Sequence, residues 1–241
     1  AGRARRMEHL WEVCLPLKGA EEDCEVVEFE GDPPAPPDFE LLDGPEPHHK
    51  VALLRGFLSP PEVAAVHRVA EDPNVEEIDD RANSLEYRHQ VWRVEKQLKA
   101  QQRAIYDRLM AVSWGLDEEL WGNLSGELAY PEIEYIEYDV GKLGEPGAIE
   151  RHTDNQSQVS MVILLSPHEE FEGGENWFEG PREDRRVRLG LGDAVFFHGD
   201  RCQHWITPVK SGKRTILQME LSRGWPACPE ALGGHLDWLL C

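Results

Sequence analysis

The segment 150–166, ERHTDNQSQVSMVILLS, places a histidine and an acid directly before an alternating apolar run that is typical of a buried strand. His152 and Asp154 are two positions apart, so an extended backbone would point both side chains to the same face of a sheet. Burying an imidazole and a carboxylate costs several kcal/mol unless a partner satisfies them. A metal ion is one such partner, and the segment therefore predicts a metal site where a core strand begins.

The composition allows one large domain and disfavours two classes of partner. The chain has 241 residues, of which 40% are hydrophobic, enough for a sizeable core. Its formal net charge of −21 opposes binding to a phosphate backbone, so we expect no nucleic-acid partner. No apolar run reaches the length of a membrane span, so we expect no membrane partner either. The charge favours neutral or cationic partners.

The cysteines and the N-terminus bear on the cellular compartment. The five cysteines are scattered and form no CxxC pair, which favours reduced thiols over a disulfide framework. The basic N-terminus AGRARRMEHLWEVCLPL lacks the apolar core and the cleavage site of a signal peptide. The chain does not begin with Met, so a targeting segment could have been removed. The localisation stays open, with the cytoplasm as the default.

Three regions are expected along the chain. Residues 1–49 are rich in proline and acid, which resists helix and ladder pairing and predicts an extended N-terminal arm. Two histidines in that arm, His48 and His49, are expected to be solvated rather than to act as ligands. Residues 50–225 form the predicted folded domain. Residues 226–241 form a tail that could dock on the core or mediate self-association, and the sequence leaves that choice and the oligomeric state open.

The order of the predicted elements favours an α+β domain that is mainly β. A strand is predicted at Val51–Leu54, followed by a helix over residues 60–71 with Ser59 as its N-cap. A second helix is predicted over residues 95–115, with Gly115 as its stop. The rest of the domain alternates short apolar segments with Gly-rich and acidic turns. Helices followed by many short strands indicate an antiparallel sandwich or barrel supported by helices.

Three later histidines compete for the place of a third metal ligand. His168 lies in an acidic turn and is expected to be exposed. His198 follows the apolar run AVFF at a strand end, whereas His204 opens the segment HWITPV, ten positions before Arg214. Two imidazoles and one carboxylate form the facial triad of non-heme Fe(II) oxygenases, which leaves coordination positions open for chemistry. On the residues alone, His204 and His198 are rival candidates for the third ligand.

The complete pattern resembles the Fe(II)- and 2-oxoglutarate-dependent dioxygenases, most closely their prolyl 4-hydroxylase-like branch. The resemblance is carried, in chain order, by His152-x-Asp154, FEGGENWF, LGDAVFFHG, His204 and Arg214, and it covers residues 50–223. It implies a double-stranded β-helix, which is a jelly-roll or cupin-like barrel with supporting N-terminal helices. It also implies Fe(II) held by the triad, 2-oxoglutarate as cosubstrate, O2, and ascorbate as a supporting reductant.

The resemblance assigns roles to two further residues. Arg214 would bind the distal carboxylate of 2-oxoglutarate, because a guanidinium offers two parallel donors to a carboxylate. Tyr138, directly before a Gly-containing turn, would donate a hydrogen bond to the same carboxylate, whereas Tyr135 would lie on the opposite face of the strand. The residues alone also allow Arg214 to be a surface charge, Tyr138 a packed core tyrosine, and the His152-x-Asp154 pair an ordinary polar strand end.

The resemblance implies a reaction but leaves the substrate open. A carboxylate at Asp154 argues for hydroxylation, because family halogenases carry a small residue there. The expected reaction hydroxylates an unactivated C–H bond, foremost in a prolyl residue of a peptide or protein, with release of succinate and CO2. The alternatives are an oxygenase acting on a free amino acid or another small molecule, and a non-catalytic metal-binding module. No catalytic side chain beyond the metal ligands is expected.

Four residues are candidates for substrate binding. Arg88 and Trp92 lie in RANSLEYRHQVWRVE, where prolyl hydroxylases place a substrate-covering hairpin. Asn155 follows the predicted ligand Asp154, and Trp177 follows the Gly-Gly pair. A solvated charge and a packing tryptophan are the alternative roles for these side chains.

Overall fold

The computed structural model describes residues 27–75, 77, 87–154 and 156–223. In these ranges the strands are β1 (Val27–Glu28), β2 (Glu40–Leu42), β3 (Val51–Leu54), β4 (Tyr87–Arg88), β5 (Gln90–Arg93), β6 (Leu128–Asp139), β7 (Gly147–His152), β8 (Ser157–Leu164), β9 (Phe171–Gly173), β10 (Asn176–Phe178), β11 (Arg185–Val187), β12 (Ala194–Phe197) and β13 (His204–Arg223). The helices are α1 (Pro60–Ala70), α2 (Glu95–Gln101), α3 (Arg103–Leu120) and α4 (Val140–Leu143), with 3-10 turns at Pro47–His49 and His168–Glu170. None of the helices in the described ranges is long and apolar enough to cross a membrane.

The long strand β13 takes part in two antiparallel sheets. Its first part pairs with β7, β9 and β10, and its second part pairs with β6 and β8. The larger sheet has the order β1-β6-β13-β8-β12-β3-β2, with β5 paired to β6. The predicted α+β fold, mainly β, is therefore confirmed, and the segments HWITPV and RTILQMELS both belong to the single strand β13.

The larger sheet is buried on both faces. In β8, Met161 and Ile163 join a core cluster that also contains apolar residues of α1 and α3, so the helices cover that face. Val162 and Leu164, on the opposite face by strand alternation, join the cluster inside the barrel. The interior of the barrel is therefore bounded by the face of this sheet that is turned away from the helices.

The first predicted helix is confirmed and the second is wrong in its bounds. Ser59 caps α1 with a capping box, its backbone N–H and hydroxyl both donating to Glu62 Oε2, at 2.8 and 2.7 Å. The second helix is broken at Gln102, with φ −134° and ψ 50°, and then continues past Gly115 to Leu120. A Cβ on Gly115 would lie 2.4 Å from the carbonyl oxygen of Pro34, so this glycine permits close packing and does not stop the helix.

The described part of the predicted N-terminal arm is attached to the core. Strand β1 pairs with β6, and β2 pairs with β3. Phe29 is 1% exposed and packs edge-on against Trp114, with ring centroids 5.5 Å apart. The division of the chain at residues 49 and 225 stays a prediction, and the tail 226–241 lies outside the described residues.

Replacing Phe29 tests whether this segment contributes to stability. We expect Phe29→Ala to lower the free energy of unfolding by about 3–5 kcal/mol, because a buried aromatic ring is removed and leaves a cavity. Leu41→Ala, in the same segment but 41% exposed, should cost about 0.5 kcal/mol or less. Urea unfolding followed by tryptophan fluorescence gives both values. Equal small effects of the two substitutions would show that the segment is only loosely attached.

Candidate metal centre

Three side chains predicted as metal ligands converge inside the barrel. His152 ends β7 and lies opposite His204, the first residue of β13, while Asp154 follows two positions after His152. One ligand atom from each residue lies within 4.8 Å of those of the other two. The Nε2 atoms of both imidazoles are 3.4 Å from the same oxygen, Asp154 Oδ1. This is the geometry of a pocket for one small cation.

Hydrogen bonds from outside the triad orient all three side chains. Nδ1 of His152 lies 2.7 Å from the carbonyl oxygen of Glu150, and Nδ1 of His204 lies 3.1 Å from that of Cys202. With Nδ1–H donating to a carbonyl, each neutral ring presents the Nε2 lone pair to the centre. Ser160 donates its hydroxyl to Asp154 Oδ2 at 2.5 Å, which leaves Oδ1 directed at the two imidazoles.

The electrostatics of the triad favour an ionised carboxylate. Burial opposes ionisation of Asp154, but the charges and hydrogen bonds of His204 and His152 outweigh burial and hold the pKa of Asp154 well below its usual range. Burial also disfavours the charged form of His204, yet Asp154 raises the pKa of His204 above its ordinary value. A divalent cation binding here would compete with the proton that the charged form of His204 carries on Nε2. Two imidazole nitrogens and a carboxylate oxygen suit Fe(II) and similar divalent ions.

The two rival histidines lie elsewhere. Nδ1 of His198 is 2.8 Å from Asp200 Oδ1, and burial lowers the pKa of His198. His168 is exposed, as expected, and its Nε2 lies 2.7 Å from the carbonyl oxygen of Leu189. Among the described residues, the group around Asp154 that could hold a metal thus contains His204 and not its rivals.

Arg214 and Tyr138 face each other across neighbouring strands. They are directly opposite in the β13–β6 register, both are 0% exposed, and the guanidinium carbon lies 5.4 Å from the centroid of the tyrosine ring. Nη2 of Arg214 donates to Asn176 Oδ1 at 2.9 Å. Its Nε and Nη1 atoms and the Tyr138 hydroxyl are buried without a hydrogen-bond partner in the described part of the chain. Burial lowers the pKa of Arg214 to about 10 and raises the pKa of Tyr138.

One cavity borders the triad and another borders Arg214. A narrow cavity is bounded by Tyr138, His152 and His204, and so connects the tyrosine with the triad. A larger cavity of about 270 Å³ is bounded by Arg214 on the side of the Gly173-Gly174 pair. Asn176 borders both cavities.

Sequence reasoning missed three residues that shape the site. Asn176 holds the guanidinium and Ser160 holds the carboxylate, but an Asn or a Ser in a strand carries no distinctive pattern. Gly174 has a φ of +63°, and a Cβ there would lie 2.6 Å from Arg214 Cδ. The segment FEGGENWF, which contributed to the resemblance, contains both Gly174 and Asn176 and was the available signal.

The substrate candidates lie in different surroundings. Arg88 in β4 is 3.7 Å from a carboxylate oxygen of Glu145. Trp92 packs on the helix-covered side of the sheet, its ring centroid 5.9 Å from that of Tyr135, which gives its substrate role no support. Trp177 borders the narrow cavity and stacks on Trp205 with centroids 6.0 Å apart. Asn155 lies outside the described residues.

Comparison with known sequences finds short matches. No protein-family model matches the chain. A PKHD-type hydroxylase of Verminephrobacter eiseniae is 34% identical over 65 residues, which are 27% of this chain and 28% of the relative. A PKHD-type hydroxylase of Acidovorax ebreus is 35% identical over 63 residues, 26% of this chain and 27% of the relative. The chain thus spans little more than a quarter of the length of the curated relatives that it matches.

Comparison with solved structures finds the same fold over most of the chain. A prolyl-4-hydroxylase of Pseudomonas putida matches with a TM-score of 0.52 and 18% identity, covering 74% of this chain and 94% of its own. A prolyl hydroxylase of Trichoplax adhaerens, in complex with a peptide fragment of hypoxia inducible factor, matches with a TM-score of 0.51 and 14% identity. The match covers 72% of this chain and 83% of the hydroxylase. SnoN, a non-heme alpha ketoglutarate dependent epimerase from nogalamycin biosynthesis, matches with a TM-score of 0.51 and 16% identity. The match covers 72% of this chain and 77% of the epimerase.

These similarities define the class of fold. The chain has the double-stranded β-helix of the Fe(II)- and 2-oxoglutarate-dependent oxygenases. Its resemblance to the prolyl 4-hydroxylase-like branch of that superfamily is confirmed by the named hydroxylases among its relatives and structural neighbours.

The serine behind Asp154 provides a test of the metal centre. We expect Ser160→Ala to weaken binding of Co(II) about 10- to 100-fold, because Asp154 loses the donor that orients its carboxylate. Ser166→Ala is the matched control, since Ser166 is equally buried but accepts from the backbone N–H of Thr215 instead. Calorimetric titration with Co(II) measures the affinity. The binding event that is lost in Asp154→Ala is the one to compare between the variants. Unchanged affinity in Ser160→Ala would show that Ser160 does not position the ligand.

Proposed function

We propose that the chain is an Fe(II)- and 2-oxoglutarate-dependent hydroxylase. His152, Asp154 and His204 hold Fe(II), and Arg214 with Tyr138 holds the distal carboxylate of 2-oxoglutarate. The observation that carries this proposal is the incomplete hydrogen bonding of Arg214, a fully buried cation with two unpartnered donors in the described structure. A buried cation in that state is costly, and a bound carboxylate would offset the cost.

The chemistry of the donor sets supports both ligands. Two nitrogens and one oxygen leave coordination positions for a chelating 2-oxo acid. Nε and Nη1 of Arg214 and the hydroxyl of Tyr138, whose ring faces the guanidinium, are unpartnered donors that could bind one carboxylate. Fe(II) with 2-oxoglutarate and O2 supplies the oxidation, in which one oxygen atom enters a substrate C–H bond and the other converts 2-oxoglutarate to succinate and CO2.

The protein's own contribution is to position the ligands and to exclude water. Arg214 and Tyr138 would hold the distal carboxylate of the cosubstrate and so orient it in the barrel. The rings of Phe197 and Phe178 pack on His204, with centroids 4.4 and 6.2 Å from its own. This apolar wall keeps bulk water away from the side of the centre on which it lies.

The leading substrate is a prolyl residue of a peptide or protein. Support comes from structural neighbours that are prolyl hydroxylases, one of them in complex with a peptide. A free amino acid or another small molecule is the second candidate, supported by the same fold in an epimerase from nogalamycin biosynthesis. The fold serves both kinds of substrate, so the choice depends on turnover measurements.

Turnover with defined substrates tests this choice. We expect succinate formation from 2-oxoglutarate to rise when proline-containing peptides are added, with the peptide gaining the mass of one oxygen atom. Free proline and a peptide in which proline is replaced by alanine serve as controls. Stimulation by free amino acids alone would favour the small-molecule candidate. Absence of succinate with every substrate, in protein that binds Fe(II), would favour a non-catalytic metal-binding module.

Binding of the cosubstrate tests the role of Arg214. Under anaerobic conditions, Fe(II) and 2-oxoglutarate should give a visible charge-transfer band, and Arg214→Met should raise the dissociation constant of 2-oxoglutarate about 100-fold. Tyr138→Phe should raise it about 10-fold. The matched control is Arg103→Met, since Arg103 is an exposed arginine of α3 that is paired with Asp107 and borders neither cavity.

The stability of the variants separates binding from folding. Because Arg214 is buried with unpartnered donors, Arg214→Met should not lower the free energy of unfolding of the ligand-free protein. An Arg214→Met protein that is folded and binds 2-oxoglutarate as tightly as the wild type would refute the assignment.

A further inference from the structure

A second group of metal-ligand side chains lies outside the barrel centre. His48 and His49 form the end of the 3-10 turn before β3, and Glu179 directly follows β10. One ligand atom from each of the three residues lies within 4.8 Å of those of the others. The two imidazole rings are 4.1 Å apart between centroids, and all three side chains are half-buried. The expectation that both histidines are simply solvated does not account for this convergence.

One guanidinium holds the two backbone segments together. Arg185 donates from Nη2 to the carbonyl oxygens of both His49 and Glu179, the latter at 2.8 Å. Its Nη1 donates to the carbonyl oxygen of Asp43 at 3.2 Å. Because the chain is fixed on either side of the group, the approach of the three side chains is a property of the fold and not of free surface rotamers.

The hydrogen bonding of the group leaves ligand capacity free. Nδ1 of His49 is buried and has no hydrogen-bond partner in the described ranges. The carboxylate of Glu179 accepts from the backbone N–H of Gln203 at 3.1 Å through Oε1, and its Oε2 lies 3.7 Å from Nη2 of Arg151. Each carboxylate oxygen has a further lone pair, so these contacts do not exclude a metal ion.

We propose that His48, His49 and Glu179 bind a second divalent transition-metal ion, of the Zn2+ class. Two neutral imidazoles and one carboxylate are a ligand set that Zn2+ accepts, with water completing the coordination. The proposed site is separate from the barrel centre but close to it along the chain. Glu179 accepts a hydrogen bond from Gln203, which precedes His204, and lies near Arg151, which precedes His152. It does not depend on the proposed oxygenase activity.

Metal stoichiometry tests the proposal. We expect metal-free wild-type protein, dialysed against Zn2+ and analysed by elemental mass spectrometry, to bind two ions per chain. His49→Ala and Glu179→Gln should each bind one, and Asp154→Ala should also bind one, because the two sites are independent. The combined His49→Ala and Asp154→Ala protein should bind none. His168→Ala, which removes an exposed histidine outside both groups, should still bind two.

The variants distinguish failure of this proposal from failure of the barrel centre. One ion in the wild type, kept in His49→Ala and lost in Asp154→Ala, would overturn the second site and leave the barrel centre intact. One ion lost only in His49→Ala would support the second site and count against the centre. Replacing one ligand of the second site, as in His49→Ala, should weaken binding of the second ion by more than about 100-fold. This effect is larger than that expected when a residue that only hydrogen-bonds to a ligand is replaced. Circular dichroism of His48→Ala and His49→Ala checks that both remain folded.

Discussion

The change of partners along β13 places the functional groups relative to one another. At its start, His204 pairs with His152 of β7, which brings both imidazoles to one point. The ladder partner changes from β9 at Gly212 to β6 at Lys213, and the next residue, Arg214, faces Tyr138. One strand thus carries both His204, at the candidate metal centre, and Arg214, the buried cation. Their separation is set by backbone hydrogen bonds and not by flexible loops.

The two buried polar clusters of the barrel are satisfied to different degrees. Asp154 has two imidazoles and a serine hydroxyl around its carboxylate, so both of its oxygens have polar partners within the protein. Arg214 has the oxygen of Asn176 and the face of Tyr138, but no carboxylate within ion-pair distance in the described ranges. Burial without a carboxylate partner lowers the pKa of Arg214, and an anion bound beside the guanidinium would stabilise its charged form. Such preorganisation favours binding at some cost in stability.

The close approach of glycines to other groups links the fold to the site. The Arg214 side chain packs so closely on Gly174 that a Cβ there would clash with it. The backbone at Pro34 packs equally closely on Gly115. One of these contacts shapes the surroundings of Arg214, and the other lets the N-terminal segment pack on α3. Both depend on the absence of a side chain, which is why neither glycine acts as a simple stop or turn residue.

Much of the fold could be predicted from periodicity, and the failures have a common cause. The cap at Ser59 and the alternation of the later strands are local signals, so α1 and the mainly β architecture followed from them. The continuation of the helix through Gly115 depends on close packing against Pro34, which no local pattern reports. The same holds for Ser160 and Asn176, whose roles arise only from what lies beside them.

The sequence by itself determined the chemical types at the centre. The spacing of His152 and Asp154 puts an imidazole and a carboxylate on one face of an extended chain, because strand side chains alternate with a period of two. Only the tertiary structure decided between His204 and His198, and only it brought His48 and His49 to Glu179. Both outcomes depend on the pairing of strands and segments that are far apart in the chain, and that pairing is specified by the packing of the whole core and not by any single stretch of residues.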